Sequence, residues 1–171
     1  YVTWMRARAP HHILIENTVI ESVGGIALYV YTGVTFVTLR NVTITGPSAS
    51  VMVYIDAETS RIHLEDSFID GSEASRETIA VDASDWVEIR RNTIVSKHAG
   101  VFAYRNCGED GVIRHTTPSH GVYESNDFQG SGPSIELGSR QGNRDYCGDD
   151  YGWPYGSSAS DMDHARWNTV L

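Results

Sequence analysis

Tyrosine and aspartate recur at matching places in several short apolar segments. Tyr29 and Tyr54 lie inside two of these segments, Tyr104 ends a third, and Asp56 and Asp82 each directly follow one. If the segments stack as neighbouring strands about 4.8 Å apart, the tyrosines form an outward column beside the two carboxylates. Carboxylates about 5 Å apart serve as acid and nucleophile in retaining glycosidases, and like charges that close raise one pKa. Structural roles are the alternative, since tyrosine suits strands and aspartate suits turns.

A second set of candidates lies in the stretch 139–164. Asp149 and Asp150 are followed within this glycine-containing segment by further acids, and carboxylates of this kind are the oxygen ligands that Ca²⁺ prefers. Their spacing is not that of an EF-hand, so solvated loop acids are the alternative. Long aromatic-rich loops often form the wall of a binding site, and we therefore expect Arg140 and Trp153 to contact a substrate.

The two cysteines, Cys107 and Cys147, lie one on each of the two longest inserts. They lack the paired spacing of a zinc site. A disulfide between the inserts would suit a secreted protein, because long irregular loops gain most from a covalent tie. Two free thiols are the alternative.

The element that positions all these residues is a repeat in which an apolar strand reaches Asn or Asp and then turns apolar again. Apolar residues alternate before the polar position, as at Ile13 and Ile15 or at Val37 and Leu39, which predicts strands with one buried face. The repeated polar residues lie 24, 25, 26, 34 and 42 positions apart and are Asn17, Asn41, Asp66, Asn92, Asn126 and Asn168. A period in the low twenties predicts a solenoid whose later turns carry inserts.

These polar positions are expected to form a ladder at the bend of each turn. Asparagine tolerates unusual backbone angles, and its amide can bond to the backbone of the next turn. Such a ladder would satisfy buried polar groups of the backbone. Asp66 departs from the pattern because an ionised carboxylate only accepts, and Arg90-Arg91 before Asn92 predicts a bulge.

The segments 17–20, 41–44, 66–69 and 92–95 make this chain resemble the right-handed parallel β-helix proteins of the pectate-lyase-like superfamily. The resemblance implies an all-β solenoid of about five to six rungs, starting near residues 11, 35, 60, 86, 121 and 164. It also implies one domain over residues 1–171, with long inserts at 105–120 and 139–164. The superfamily contains lyases, hydrolases, epimerases, phage spikes and adhesins, so the fold alone does not select a function.

The resemblance gives a further set of candidates in Lys97 and the insert that follows. In β-helix lyases and epimerases a basic side chain abstracts a proton next to a carboxylate, while a cation neutralises the developing charge. By residue type, Lys97 or His115 could be the base and Arg105 the cation. Neither the mannuronan-epimerase Asp-Pro-His motif nor a polygalacturonase pattern is present, and packing of a long loop is the alternative.

Composition excludes some partners and favours others. The chain has 171 residues, a net charge of −9 and a pI near 5.1, which disfavours nucleic acid as a partner. No apolar run approaches the ~20 residues that a membrane-spanning helix needs. Residues 1–4 are an unlikely native start and the sequence stops midway through a rung without a cap, so we expect the chain to be part of a longer β-helix.

Together these features predict a secreted or cell-surface protein that acts on an extracellular polysaccharide. The leading hypothesis is a polysaccharide lyase or epimerase, or a glycoside hydrolase, with Ca²⁺ as the one cofactor that the sequence suggests. The competing hypothesis is a non-catalytic β-helix: an adhesin, a spike or a glycan-binding surface module.

Overall fold

Alternating apolar residues give each turn of the chain three strands, and each strand pairs with its equivalent one turn later. The computed structural model describes residues 10–104, 120–138 and 163–171. Every pairing among the strands in these ranges is parallel. The predicted all-β parallel solenoid is therefore confirmed. Within the same ranges, no helix has the length and apolarity to cross a bilayer.

Three strips of parallel strands, here called faces, enclose the interior. The first face contains the first halves of β1 (His11–Glu21) and β3 (Thr35–Thr45), then β5 (Ser60–Glu65), β8 (Asp85–Arg90), β11 (Val122–Glu124) and β14 (His164–Arg166). The second face contains the second halves of β1 and β3, then β6 (Phe68–Gly71), β9 (Thr93–Ser96), β12 (Asp127–Gly130) and β15 (Thr169–Val170). The third face contains β2 (Leu28–Val30), β4 (Val53–Ile55), β7 (Ile79–Asp82), β10 (Val101–Tyr104) and β13 (Ile135–Leu137).

The core is a narrow column of aliphatic side chains contributed by all three faces. Leu64 on the first face, Ile69 on the second and Ile79 on the third are completely buried. Each such residue contributes roughly 1.5–3 kcal/mol relative to an exposed position. In the later turns Tyr123 and Phe128 fill the same interior. One face of each strand is thus fixed inward, and the outward residues are left to form surface columns.

The corner between the first and second faces carries two columns of side chains. The outer column has positive φ angles of 51–56° and comprises Asn17, Asn41, Asp66, Arg91, Ser125 and Trp167. The residue after each of these turns toward the interior, and the four from Val42 to Asn126 are buried: Val42, Ser67, Asn92 and Asn126. Asparagine is favoured in the outer column because it adopts positive φ more readily than most residues.

The six asparagine and aspartate positions of the repeat therefore do not share one column. Asn41 lies in the outer column, two residues after the last inward residue of its first-face strand, Leu39. Asn92 follows the equivalent Ile89 by three residues and so lies in the inner column. The bulge predicted before Asn92 is wrong, because the strands on both sides of this corner stay in register with the preceding turn.

Within the inner column the amides of Asn92, Asn126 and Asn168 bond to one another and to the backbone. The Asn92 Oδ1 accepts from the backbone N–H of Ser67 at 3.0 Å, and its Nδ2 donates to the carbonyl of Leu64 at 2.9 Å. The same Nδ2 lies 3.0 Å from the Oδ1 of Asn126, whose Nδ2 lies 3.1 Å from the Oδ1 of Asn168. These bonds satisfy buried backbone groups at the corner.

In the outer column the contacts are exposed. The Asn41 Nδ2 donates to the Oδ1 of Asn17 at 2.7 Å. The Arg91 guanidinium donates to both carboxylate oxygens of Asp66, and this hydrogen bonding is the main cause that holds the pKa of Asp66 below its usual range. Because solvent screens these groups, they add less to stability than the inner column.

Glycine closes the corner between the second and third faces. Gly46 and Gly130 adopt φ angles of +98° and +125°, which other residues rarely reach. A Cβ atom on Gly130 would also collide with the carbonyl oxygen of Ser96, one turn earlier. At Gly46 and Gly130 successive turns thus approach too closely for a side chain.

Candidate functional site

Tyr29 and Tyr54 lie next to each other on the outward side of the third face. Their rings are parallel, with centroids 5.1 Å apart. Two turns further on, the position predicted for Tyr104 is occupied by Phe102, and Tyr104 pairs instead with Asp82. The prediction that Tyr104 shares the column of Tyr29 and Tyr54 is therefore wrong, because Tyr104 lies two residues further along its strand.

Each of the two stacked tyrosines donates its hydroxyl to a carboxylate of the next turn. The Tyr29 Oη lies 2.8 Å from the Oδ2 of Asp56, and the Tyr54 Oη lies 2.7 Å from the Oδ2 of Asp82. Thr32 adds a second hydroxyl donor to the Oδ2 of Asp56 at 2.6 Å. Burial, aided by these carboxylates, raises the pKa of both tyrosines. Both hydroxyls thus remain protonated donors that hold the carboxylates between turns.

Asp82 and Tyr104 lie beneath the surface of the third face. Only 3% of Asp82 and 2% of Tyr104 is exposed. Phe102 is buried beside them, with its ring centroid 4.5 Å from that of Tyr104. Among the described residues of this outward column, the open aromatic surface is limited to the first two turns, where 43% of Tyr29 is exposed.

Lys97 lies at a different corner from the two carboxylates. It directly follows β9, where the chain passes from the second face to the third, and it is exposed. Asp56 and Asp82 lie at the opposite ends of third-face strands, where the chain passes to the first face. A strand of this length separates the two corners by on the order of 10 Å. The structure therefore does not bring Lys97 together with Asp56 and Asp82.

The remaining candidates from the sequence fall outside the described residues, so their predicted roles stay predictions. They are Arg105 and His115 for catalysis, Arg140 and Trp153 for substrate binding, Asp149 and Asp150 for Ca²⁺, and the Cys107–Cys147 disulfide. Among the described residues, no group of three or more His, Cys, Asp or Glu side chains is arranged to hold a metal ion.

The sequence did not lead us to a column of planar side chains that runs along the entry edge of the first face, where the chain begins each first-face strand. In successive turns it comprises His12, Phe36, Arg61, Trp86 and His120, all with φ of 56–57°. The rings of His12 and Phe36 are parallel at 4.6 Å, and those of Trp86 and His120 at 4.1 Å. Between these pairs, the Arg61 guanidinium carbon lies 5.3 Å from the Phe36 centroid. Because His12 stacks on Phe36 and Trp86 stacks on His120, these rings present their electropositive edges sideways.

A second column, of charged residues, runs along the exit edge of the same face. Its members alternate in sign without interruption and are Glu16, Arg40, Glu65, Arg90, Glu124 and Arg166. The Arg40–Glu16 pair is 2.6 Å long and the Arg166–Glu124 pair is 2.8 Å long. Opposite charges on neighbouring parallel strands attract, whereas like charges directly opposite each other destabilise a sheet. The alternation gives every glutamate an arginine neighbour.

Between the planar column and the charged column lies an open groove of about 440 Å³ along the first three turns. Its floor is formed by the outward residues midway along the strands, Leu14, Thr38 and His63. The groove runs parallel to the solenoid axis, so each further turn repeats its walls after about 4.8 Å. This geometry suits an elongated ligand with a short repeat.

Some of the charged side chains that line this groove already have an ion-pair partner, and others do not. Arg40 is paired with Glu16, and Glu65 accepts from Arg91 at 2.7 Å. Arg61 forms no ion pair with any other residue in the described ranges, and the residue is exposed. Its N–H groups are thus available to a ligand in the groove.

Both columns were detectable in the sequence. The planar residues lie 24, 25, 25 and 34 positions apart, which differs from the spacing of the asparagine repeat by one position in the third interval only. The alternating charges each directly follow the last inward residue of a first-face strand, as Arg40 follows Leu39 and Glu65 follows Leu64. The candidates predicted from the sequence lie instead on the third face, at Lys97 and in the inserts, because tyrosines, acids and long loops are common features of binding sites.

Comparison with solved structures finds two similar chains, both from phage tailspikes. One is the enzymatically active domain of tailspike protein 2 of bacteriophage CBA120, with a TM-score of 0.41 and 9% identity over 95% of this chain. The other is the full-length tailspike protein 2 from an Escherichia coli O157:H7 bacteriophage, with a TM-score of 0.38 and 10% identity. This chain spans about a quarter of each of them, 26% and 23%. At this level of similarity, neither neighbour informs the function of this chain.

No protein-family model matches the sequence. No curated protein matches it either. The function proposed below therefore depends on the groove and on the side chains that line it.

Proposed function

We propose that this chain binds an extended polysaccharide in the groove of the first face. The observation that carries the proposal is the arrangement of two continuous side-chain columns on either side of an open channel. A chain of sugars has a repeat length close to the spacing between turns, so equivalent groups of the protein can meet equivalent groups of the glycan.

The chemistry of the walls supports a sugar ligand. Hydroxyl groups both donate and accept, and the charged column offers acceptors and donors in alternation through Glu16, Arg40 and Glu65. On the other wall, the edges of His12 and Phe36 and the N–H groups of Arg61 favour the oxygen atoms of a ligand. A fully apolar ligand would leave these polar groups without compensation.

Binding is the part of the sequence-based hypotheses that this geometry supports best. The hydroxyls of Tyr29 and Tyr54 are hydrogen-bonded to Asp56 and Asp82, and Lys97 lies at a different corner of the solenoid. Among the described residues, no cleft brings Lys97 together with the aspartate pair. Catalysis by Lys97, Arg105, His115 or the aspartate pair therefore stays a prediction. Since extended polysaccharides are common outside cells, we also propose that the protein works in a secreted or surface-attached form.

The proposal is tested by native gel electrophoresis through gels that contain single polysaccharides, both neutral and acidic. We expect at least one polysaccharide to retard the protein. The double variant Phe36→Ala/Arg61→Ala removes part of the planar wall and should weaken this retardation about tenfold, which corresponds to 1.4 kcal/mol. The matched control is Phe68→Ala, a phenylalanine of similar exposure on the second face, 37% against 43% for Phe36.

Two outcomes would contradict the proposal. One is migration that no polysaccharide in a broad panel changes. The other is retardation that Phe36→Ala/Arg61→Ala leaves intact, or that Phe68→Ala weakens equally, since either result would place the binding surface elsewhere. Thermal unfolding of each variant, followed by circular dichroism, shows whether the fold is retained.

A further inference from the structure

The first face holds most of the histidines that the chain contains. Of seven histidines, five lie in first-face strands or at the start of such a strand: His11, His12, His63, His120 and His164. Histidine is the side chain that ordinarily changes charge between pH 5 and 8. The first face therefore holds most of the side chains of this type among the described residues.

Within the groove itself, arginines and carboxylates balance, although the whole chain carries −9. Its walls contain Arg40 and Arg61 together with Glu65 and Glu16, the partner of Arg40, so these four groups leave no net charge. His12 forms part of one wall and His63 part of the floor. Protons on both would add two positive charges beside Arg61.

The surroundings of the two histidines include groups of both signs. His63 Nδ1 lies 3.3 Å from a carboxylate oxygen of Glu88, and Arg90 shares the same oxygen at 3.2 Å. His12 lies with its Nδ1 2.7 Å from that of His11 and stacks on Phe36. The charged groups around His12 and His63 on β1, β3, β5 and β8 are His11, Glu16, Arg40, Arg61, Glu65, Glu88 and Arg90.

We infer that His12 and His63 make this groove a proton-gated site, which binds a carboxylated or sulfated glycan more tightly as the pH falls from 7.5 to 5.5. The inference depends on the proposed function, because it concerns the same groove. Glycan carboxylates and sulfates keep their charge over this range, so the change in affinity comes from the protein. Two added charges near an exposed ligand correspond to about a five- to tenfold gain in affinity.

The test compares retardation at pH 7.5 and 5.5 in gels that contain dextran, dextran sulfate, alginate or polygalacturonate. We expect an acidic polysaccharide to bind the native protein five- to tenfold more tightly at pH 5.5, and His12→Gln/His63→Gln to reduce this gain below twofold. His98→Gln is the matched control, since it removes one histidine at the corner between the second and third faces. It should keep nearly all of the gain.

The outcomes separate this inference from the proposed function. Binding that is independent of pH, a gain that His12→Gln/His63→Gln preserves, or binding to neutral dextran alone would overturn the proton gate and leave glycan binding intact. Absence of binding to every polysaccharide at both pH values would overturn both. Thermal unfolding at each pH confirms that the variants remain folded during the measurement.

Discussion

Replacement of Asn92 by alanine is expected to lower the free energy of unfolding by about 2–5 kcal/mol. The change removes the acceptor for the Ser67 N–H and the donor to the Leu64 carbonyl, both in the buried corner. Asn92 itself is only 2% exposed, so water does not replace these partners without a cavity. Urea denaturation followed by circular dichroism measures the effect.

The matched control for this prediction is Asn41→Gly in the outer column. Glycine keeps the positive φ that this position requires, and the substitution removes one exposed bond to Asn17. We expect a loss below about 1 kcal/mol. Equal losses for Asn92→Ala and Asn41→Gly would contradict the division of the corner into a buried column and an exposed one.

The second large effect concerns Tyr54, whose hydroxyl is bonded to the buried carboxylate of Asp82. Tyr54→Phe should lower the free energy of unfolding by about 1–3 kcal/mol, because Asp82 loses a donor where little water can reach it. Tyr29→Phe is the matched control, since Tyr29 is more exposed and its partner Asp56 keeps the hydroxyl of Thr32. Tyr29→Phe should lower the free energy of unfolding less than Tyr54→Phe does. A larger loss for Tyr29→Phe would contradict the role assigned to Asp82.

The same substitution should change how stability depends on alkaline pH. Burial raises the pKa of Tyr54 above its ordinary value of 10.0, so the folded protein holds this proton more tightly than the unfolded chain does. The stabilisation is complete below pH 10 and is lost as the pH rises further. Urea denaturation at pH 8 and pH 10.5 should therefore show a smaller alkaline loss for Tyr54→Phe than for the native protein.

The architecture could be predicted from the sequence because aliphatic residues alternate along the strands that form the core of each turn. Ile62 and Leu64, for example, are both completely buried, as their alternation indicates. The corner was harder to predict. Asn41 and Asn92 look equivalent in the repeat, but a difference of one residue from the preceding strand places one outside and the other inside.

The candidate site was less accessible to sequence reasoning. Tyr54 and Asp82 were recognised as neighbours, but the sequence does not show that the hydroxyl of one binds the carboxylate of the other. The groove was missed because no single residue in it is distinctive. Its walls can be recognised only when residues at equivalent positions of successive turns are aligned, as Phe36 with Arg61 and Arg40 with Glu65. This alignment requires the register between the turns.

The most direct test of the central claim, that the first-face groove binds a glycan, is an amide NMR titration of this 18.9 kDa chain. The probe is an oligosaccharide prepared from the polysaccharide that retards the protein most. We predict chemical-shift changes at Thr38 and His63 on the groove floor, with little change at Thr43 and Thr93 on the second face. Changes confined to the second or third face, with Thr38 and His63 unaffected, would contradict the account.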